Sequence, residues 1–244
     1  MRFRRENDDE ERPFYRQPTW LISAAFLALG LGAGLIAVLG GNGPARSDAG
    51  PPPAGPLLIV GSGEAARPAG CHTDDSDQKV PNAPPADLTW RQLNGAPVPL
   101  SASAGPVQET GPVLWCFAHT PMGSVMAASV ILRQMSGDDW RAVMQQQVVD
   151  DGNRKIFEIV RSSQRTGTAQ YTASKYAGFL IQSYGPAQAL IRLLIQASPG
   201  VYGTVEVTVA WDGGDWKILA QPGGDMYGSP TQVNATGPFV MWKV

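Results

Sequence analysis

The chain has 244 residues, a net charge of −2 and only 16% charged residues. A balance so near neutral, with no run of Lys or Arg, argues against direct nucleic-acid contact, which depends on clustered positive charge. The two cysteines and two histidines show no ligand spacing such as C-x₂-C or H-x₃-H, so neither a metal nor a cofactor is expected.

Residues 1–19 are polar and mixed in charge, with Arg2, Arg4, Arg5, Arg12 and Arg16 offset by Glu6, Asp8, Asp9, Glu10 and Glu11. That composition describes a tail that does not fold alone. Residues 20–39, WLISAAFLALGLGAGLIAVL, carry no charge and as a helix would extend about 30 Å, the thickness of a bilayer's hydrocarbon core. They predict a single-pass helix in the cell membrane. A secretory signal would have a shorter apolar region with a cleavage site close behind it, which Ser47-Asp48-Ala49 does not supply. The arginines of the tail place the N-terminus in the cytoplasm and everything after the span outside it. Gly30 and Gly34 form a GxxxG pair, a candidate for close helix packing.

Residues 40–56 are rich in Gly, Pro, Ala and Ser and read as a linker. From 57 to 112 the chain reads as an extended, proline-rich arm. Gly61-Ser62-Gly63 followed by Ala66 imitates a dinucleotide fingerprint, but Arg67-Pro68 breaks the helix that the fingerprint needs. The acidic run from Cys71 to Asp77 lacks the Gly and terminal Glu of a calcium loop and reads as a solvated loop. Cys71 and Cys116 both follow the predicted span, and an even pair on the oxidising side of a membrane points to a disulfide. Leu88-Thr89-Trp90 and Val98-Pro99-Leu100 are expected to anchor the arm.

Val113–Phe117 predicts a short apolar strand. Pro121 opens a helix whose stripe is Val125, Ala128, Ser129, Leu132 and Met135. Asp138 or Asp139 caps a second helix carrying Trp140, Val143, Met144, Gln147 and Val148. A third is expected from about Arg154 to Ser163. The period then changes from 3.6 to 2: strands are expected at 176–183, 188–197 and 204–211, and Asp212-Gly213-Gly214-Asp215 turns the last into a return strand at 216–220. Two or three helices followed by such a meander describe an α+β domain, 113–244, with the helices covering one face of a curved antiparallel sheet to form a cone. The apolar end, Gly237–Val244, either tucks onto this sheet or places Phe239 and Trp242 at a subunit contact.

The stretch Phe117-Ala118-His119-Thr120-Pro121-Met122-Gly123, running into an alanine-rich helix, and the hairpin VTVAWDGGDWKIL resemble actinobacterial membrane-anchored proteins of integrative conjugative elements. The order of elements is similar to the nuclear-transport-factor-2-like fold, which also occurs in scaffold subunits of conjugation and type IV secretion channels. The resemblance covers about 113–220. It implies an assembly role through protein–protein contacts outside the cytoplasm, with membrane lipid, other subunits of a membrane complex and further copies of the chain as partners.

Catalysis needs a nucleophile, a base and an electrostatic stabiliser in one place. The histidines are His72 and His119, no G-x-S-x-G elbow presents a serine, and a non-enzymatic protein is expected. Two alternatives stand beside the scaffold. One is a hydrolytic or ligand-binding protein using a cavity of the cone near His119; the other is a general cell-envelope factor that shares the fold.

Overall fold

Residues 67–163 and 175–243 are described by the structure, a computed structural model. The tail 1–19, the predicted span 20–39 with Gly30 and Gly34, the linker 40–56 and Gly61-Ser62-Gly63 lie outside the described residues. Among those described, no helix is long and apolar enough to cross a membrane. The expected single-pass architecture and the cell-membrane placement built on it are corrected accordingly. The most apolar described helix buries itself in protein and, with 15 residues, extends only about 22 Å.

Two hairpins come first. β1 (Thr89–Leu93) pairs antiparallel with β2 (Ala96–Leu100), and β3 (Gln108–Thr110) pairs with β4 (Val113–Trp115). Helices α1 (Pro121–Met135), α2 (Trp140–Gln147) and α3 (Gly152–Ser163) follow. The main sheet contains β5 (Lys175–Gly185), β6 (Gln188–Ser198), β7 (Val201–Asp212), β8 (Asp215–Ile218), β9 (Thr231–Val233) and β10 (Val240–Met241). Its order is β10-β5-β6-β7-β8, all antiparallel, with β9 on the other half of β7's outer edge.

The period-2 pattern sets the buried face. On β7, Val205, Val207 and Val209 point inward and lie opposite Leu193, Ile191 and Ala189 of β6, all buried. Against this face lies α1. Thr120 caps it by accepting from the Gly123 N–H at 3.0 Å, and Pro121 supplies a first-turn φ that a helix needs. Of its residues only Met122 and Leu132 escape full burial. Ala127, Ala128 and Ser129 let the backbone approach closely, and a Cβ on Gly123 would fall 1.9 Å from the Ala118 carbonyl oxygen.

The helices therefore do not share a cover over one face of the sheet, and the expected cone is corrected too. One helix is lodged in the core, enclosed by β2, β4 and α2 as well as the sheet, α2 is short, and α3 buries no residue. Strands dominate the rest. The arm is also more than an appendage: Val98 and Ala96 are core residues, and the β3–β4 hairpin crosses the expected boundary at 112/113. A buried amide pair ties that hairpin inward. Gln134 of α1 receives the Leu114 N–H at 2.6 Å, and both Gln134 and Gln147 donate to the Leu114 carbonyl at 3.1 and 2.6 Å. An apolar strand end thus keeps its backbone groups satisfied away from water.

Candidate functional site

Two regions carry more chemistry than packing requires. The first surrounds the disulfide. Cys71 and Cys116 are bonded, with Cα atoms 5.4 Å apart, and Cys116 has a left-handed backbone at φ 69°. A non-glycine residue holds that conformation only when its surroundings fix it. Here the fixing group is Asp215, at the end of the Asp212–Asp215 turn. Its carboxylate accepts from the N–H groups of Cys116 and Phe117, each at 2.8 Å, and from Trp216 at 2.9 Å. Burial pushes this carboxyl up to about 6, against the pull of the Phe117, Cys116 and Trp216 N–H groups and the charge of Arg67. Trp216, wholly buried, donates its indole N–H to the Ala118 carbonyl at 2.9 Å.

His119 sits on the outer side of this clamp. Its ring stacks on Trp211 with centroids 3.8 Å apart, and Nε2 lies 2.6 Å from the Pro186 carbonyl oxygen. A carbonyl only accepts, so Nε2 carries the proton. The backbone is held as well: the His119 N–H donates to Asp75 at 2.7 Å, and its carbonyl accepts from Gln78 at 2.8 Å. Asp75 also pairs with Arg67, whose guanidinium lies 4.9 Å from the Trp211 ring centroid. Trp211 and Pro186 occupy the imidazole, and the His119 backbone anchors the acidic arm. Among the described residues no set of His, Cys, Asp and Glu is grouped to hold a metal ion.

Phe239 and Trp242 lie inside the domain. Trp242 packs on Phe179 with centroids 4.8 Å apart and meets Trp90 edge-on at 6.0 Å, while β10 pairs with β5. Both are buried, so neither offers surface to a second subunit. The C-terminal segment is the tucked strand of the two expectations.

The second region is α3 and the loop that supports it. Asp151 caps the helix by accepting from the Arg154 N–H at 2.8 Å, and Asp150 pairs with Arg154. Phe157 packs edge-on against Trp140 at 5.7 Å. The loop Pro222–Pro230 comes so close that a Cβ on Gly224 would lie 2.6 Å from the Phe157 nitrogen. That docking uses one side of α3. On the other, Ile156, Ile159 and Val160 are 42%, 70% and 49% exposed. An amphipathic helix normally turns such a stripe toward its own core. Beside it runs a groove of about 370 Å³, floored by Leu132, Met135 and Phe157 and walled by Val160, Arg161 and Tyr227. His119 is not among the residues lining this groove.

Periodicity predicts the α3 helix but not which side of it meets the body. The sequence marks Asp215 only as a turn residue; a carboxylate directly after a tight Gly-Gly pair carries no local sign of partners about a hundred positions upstream.

A family model described as "Domain of unknown function (DUF8175)" matches residues 52–241. No curated protein and no solved structure matches the chain.

Proposed function

We propose, from the premise that the chain belongs to the DUF8175 family and that this family's description assigns no activity, that the domain is a non-catalytic assembly module. It offers the α3 face to another protein. The resemblance of the His119 segment and the VTVAWDGGDWKIL hairpin to proteins of integrative conjugative elements supports transfer or secretion assemblies as the setting. One observation carries the reading: α3 buries none of its residues, yet its apolar stripe is continuous and faces outward. Contiguous exposed apolar surface on a folded domain marks an interaction site more often than chance. The bonded cysteines suit an oxidising environment.

The test is native electrophoresis of detergent extracts from the source cells, comparing the unmodified chain with Ile159→Glu. The unmodified chain is expected to migrate in a complex much larger than itself, and the variant to migrate free with its melting temperature unchanged. Equal migration of the two overturns the reading. The groove supports a second reading, a small-ligand binder whose polar contacts would come from Arg161, Tyr227 and Ser229. Ligand-dependent stabilisation lost in Tyr227→Ala and kept in Ile159→Glu would favour it.

A further inference from the structure

We infer that the occupant of the α3 face is a second copy of this chain, joined by an antiparallel pairing of α3 with itself about a two-fold axis. The inference rests on the assembly reading above and gives it a partner.

The first ground is the shape of the stripe. At 100° per residue, Gly152, Ile156, Ile159, Val160 and Ser163 fall within one sector about 100° wide. Three branched apolar side chains occupy its middle and small residues close its ends. If a two-fold axis passes between Phe157 and Glu158, Ile156 of each copy meets Ile159 of the other. Gly152 then meets Ser163, small against small, at both ends.

The second ground is charge. Lys155 and Glu158 lie together on one side of the stripe, and neither takes part in an ion pair among the described residues. An antiparallel pair brings like flanks together. With the axis as placed, Lys155 of one copy and Glu158 of the other stand about 3 Å apart along the helix direction. The two-fold generates this opposite-charge pair twice. A parallel pairing would instead set this flank against the opposite edge of the stripe, which carries Asn153 and Phe157, and neither opposite-charge pair would form.

The third ground is area. Twelve residues give a helix about 18 Å long and about 10 Å wide, well short of the roughly 800 Å² that each partner gives up in a stable complex. The pairing is therefore weak in isolation and serves chains already held at high local concentration, as in a multi-subunit assembly. The chain's own segment 164–174, QRTGTAQYTAS, is a poor competitor for the face, since Tyr171 is its single large apolar residue.

The test uses the full chain. Among the described residues no cysteine is free, so an introduced thiol is the reactive one. Gly152→Cys and Ser163→Cys are the variants; a Cβ at Gly152 meets nothing within 4 Å. With a short bismaleimide, neither variant alone is expected to cross-link to itself, and an equal mixture is expected to do so. Lys155→Glu in both chains should lower the mixed yield at least about threefold, and adding Glu158→Lys should restore it. A mixture that cross-links no more than the single variants up to about 1 mM overturns the pairing. Cross-linking of each variant with itself overturns the antiparallel geometry. If Ile159→Glu instead lowers the melting temperature of a monomer by many degrees, the chain's own residues cover the face and the proposal falls. Should the chain stay monomeric while Ile159→Glu still loses a defined complex with a different protein, self-pairing fails and the assembly reading survives.

Discussion

The disulfide clamp and α3 are held to the same domain by very different means. At the clamp, Cys71 of the arm, the stretch Cys116–His119 and the β7–β8 hairpin share a covalent bond, three N–H donors on one buried carboxylate, an indole hydrogen bond and a stacked imidazole. At α3, an edge-on aromatic contact, a glycine-permitted loop approach and exposed or half-buried polar contacts of Arg141, Arg154 and Arg161 hold a helix whose Ile156, Ile159 and Val160 face away. The arm is proline-rich and would not stay put without such ties, because it has few strand partners to order it. α3 has a clear helical pattern of its own and leaves its best surface unspent. Stability is concentrated at the clamp, and the spare surface lies where the fold asks least.

Five measurements would sharpen or break this contrast. Replacing both cysteines with serine should have the largest effect. The bond closes a separation of 45 residues, worth about 4 kcal/mol in the chain-entropy account, and thermal unfolding with and without reductant reads it. Asp215→Asn comes next, at about 2–3 kcal/mol, since its amide nitrogen would face N–H donors that then lose their acceptor in a buried site. A drop below about 0.5 kcal/mol would mean that the clamp is not organised by this residue.

The third concerns pH. Asp215 is raised in the folded chain to about 6, above its unfolded value of about 4. The folded state therefore takes up this proton first as pH falls. The part of Asp215's contribution that comes from this proton is fully present below about pH 4 and is lost as pH rises through about 6, by up to roughly 1.4 kcal/mol per pH unit within that window, while the hydrogen bonds its carboxylate accepts remain. Melting temperatures of the unmodified chain and Asp215→Asn between pH 4 and 7 should converge as pH rises through that window, and parallel curves would refute the assignment. Fourth, His119→Ala should cost about 1 kcal/mol through the lost stack on Trp211, and a much larger loss would give the histidine a role beyond anchoring. Smallest is Ile159→Glu, expected within about 0.5 kcal/mol because the side chain is 70% exposed. A loss of 2 kcal/mol there would erase the distinction between the two regions.

Local chemistry was legible where it is local. The Gly-Gly turn after β7, the proline at the start of α1 and the change of period at β5 all lie within a few residues of what they determine. Pairing of the two cysteines could be expected from their number. What stayed hidden depends on distance or direction. Gln134 and Gln147 look like ordinary polar members of helical stripes, and their shared acceptor, Leu114, is 20 and 33 positions away. The stripe of α3 looks like any core-facing stripe. Helices followed by a strand meander predict helices laid over a sheet as a cone, whereas the described domain is organised around a helix sunk in strands. In the candidate site, residues chosen for their type, His119, Phe239 and Trp242, turned out to be anchors or core. Those that matter by position, Ile156 and Ile159, had no distinguishing chemistry.

The turn carboxylate also sets an order of events during synthesis. Cys71, Cys116 and the hairpins of the arm leave the ribosome roughly a hundred residues before Asp215 and Trp216, the groups that fix Cys116 through Ala118 in place. The β7–β8 hairpin, with its two-residue loop, closes within microseconds once made. The part of the domain made first is therefore the last to dock. Until β8 exists, both thiols and the apolar face of Phe117 wait without the groups that fix them, so an oxidant or a holding chaperone has its opportunity in that interval, before the chain has finished its sheet.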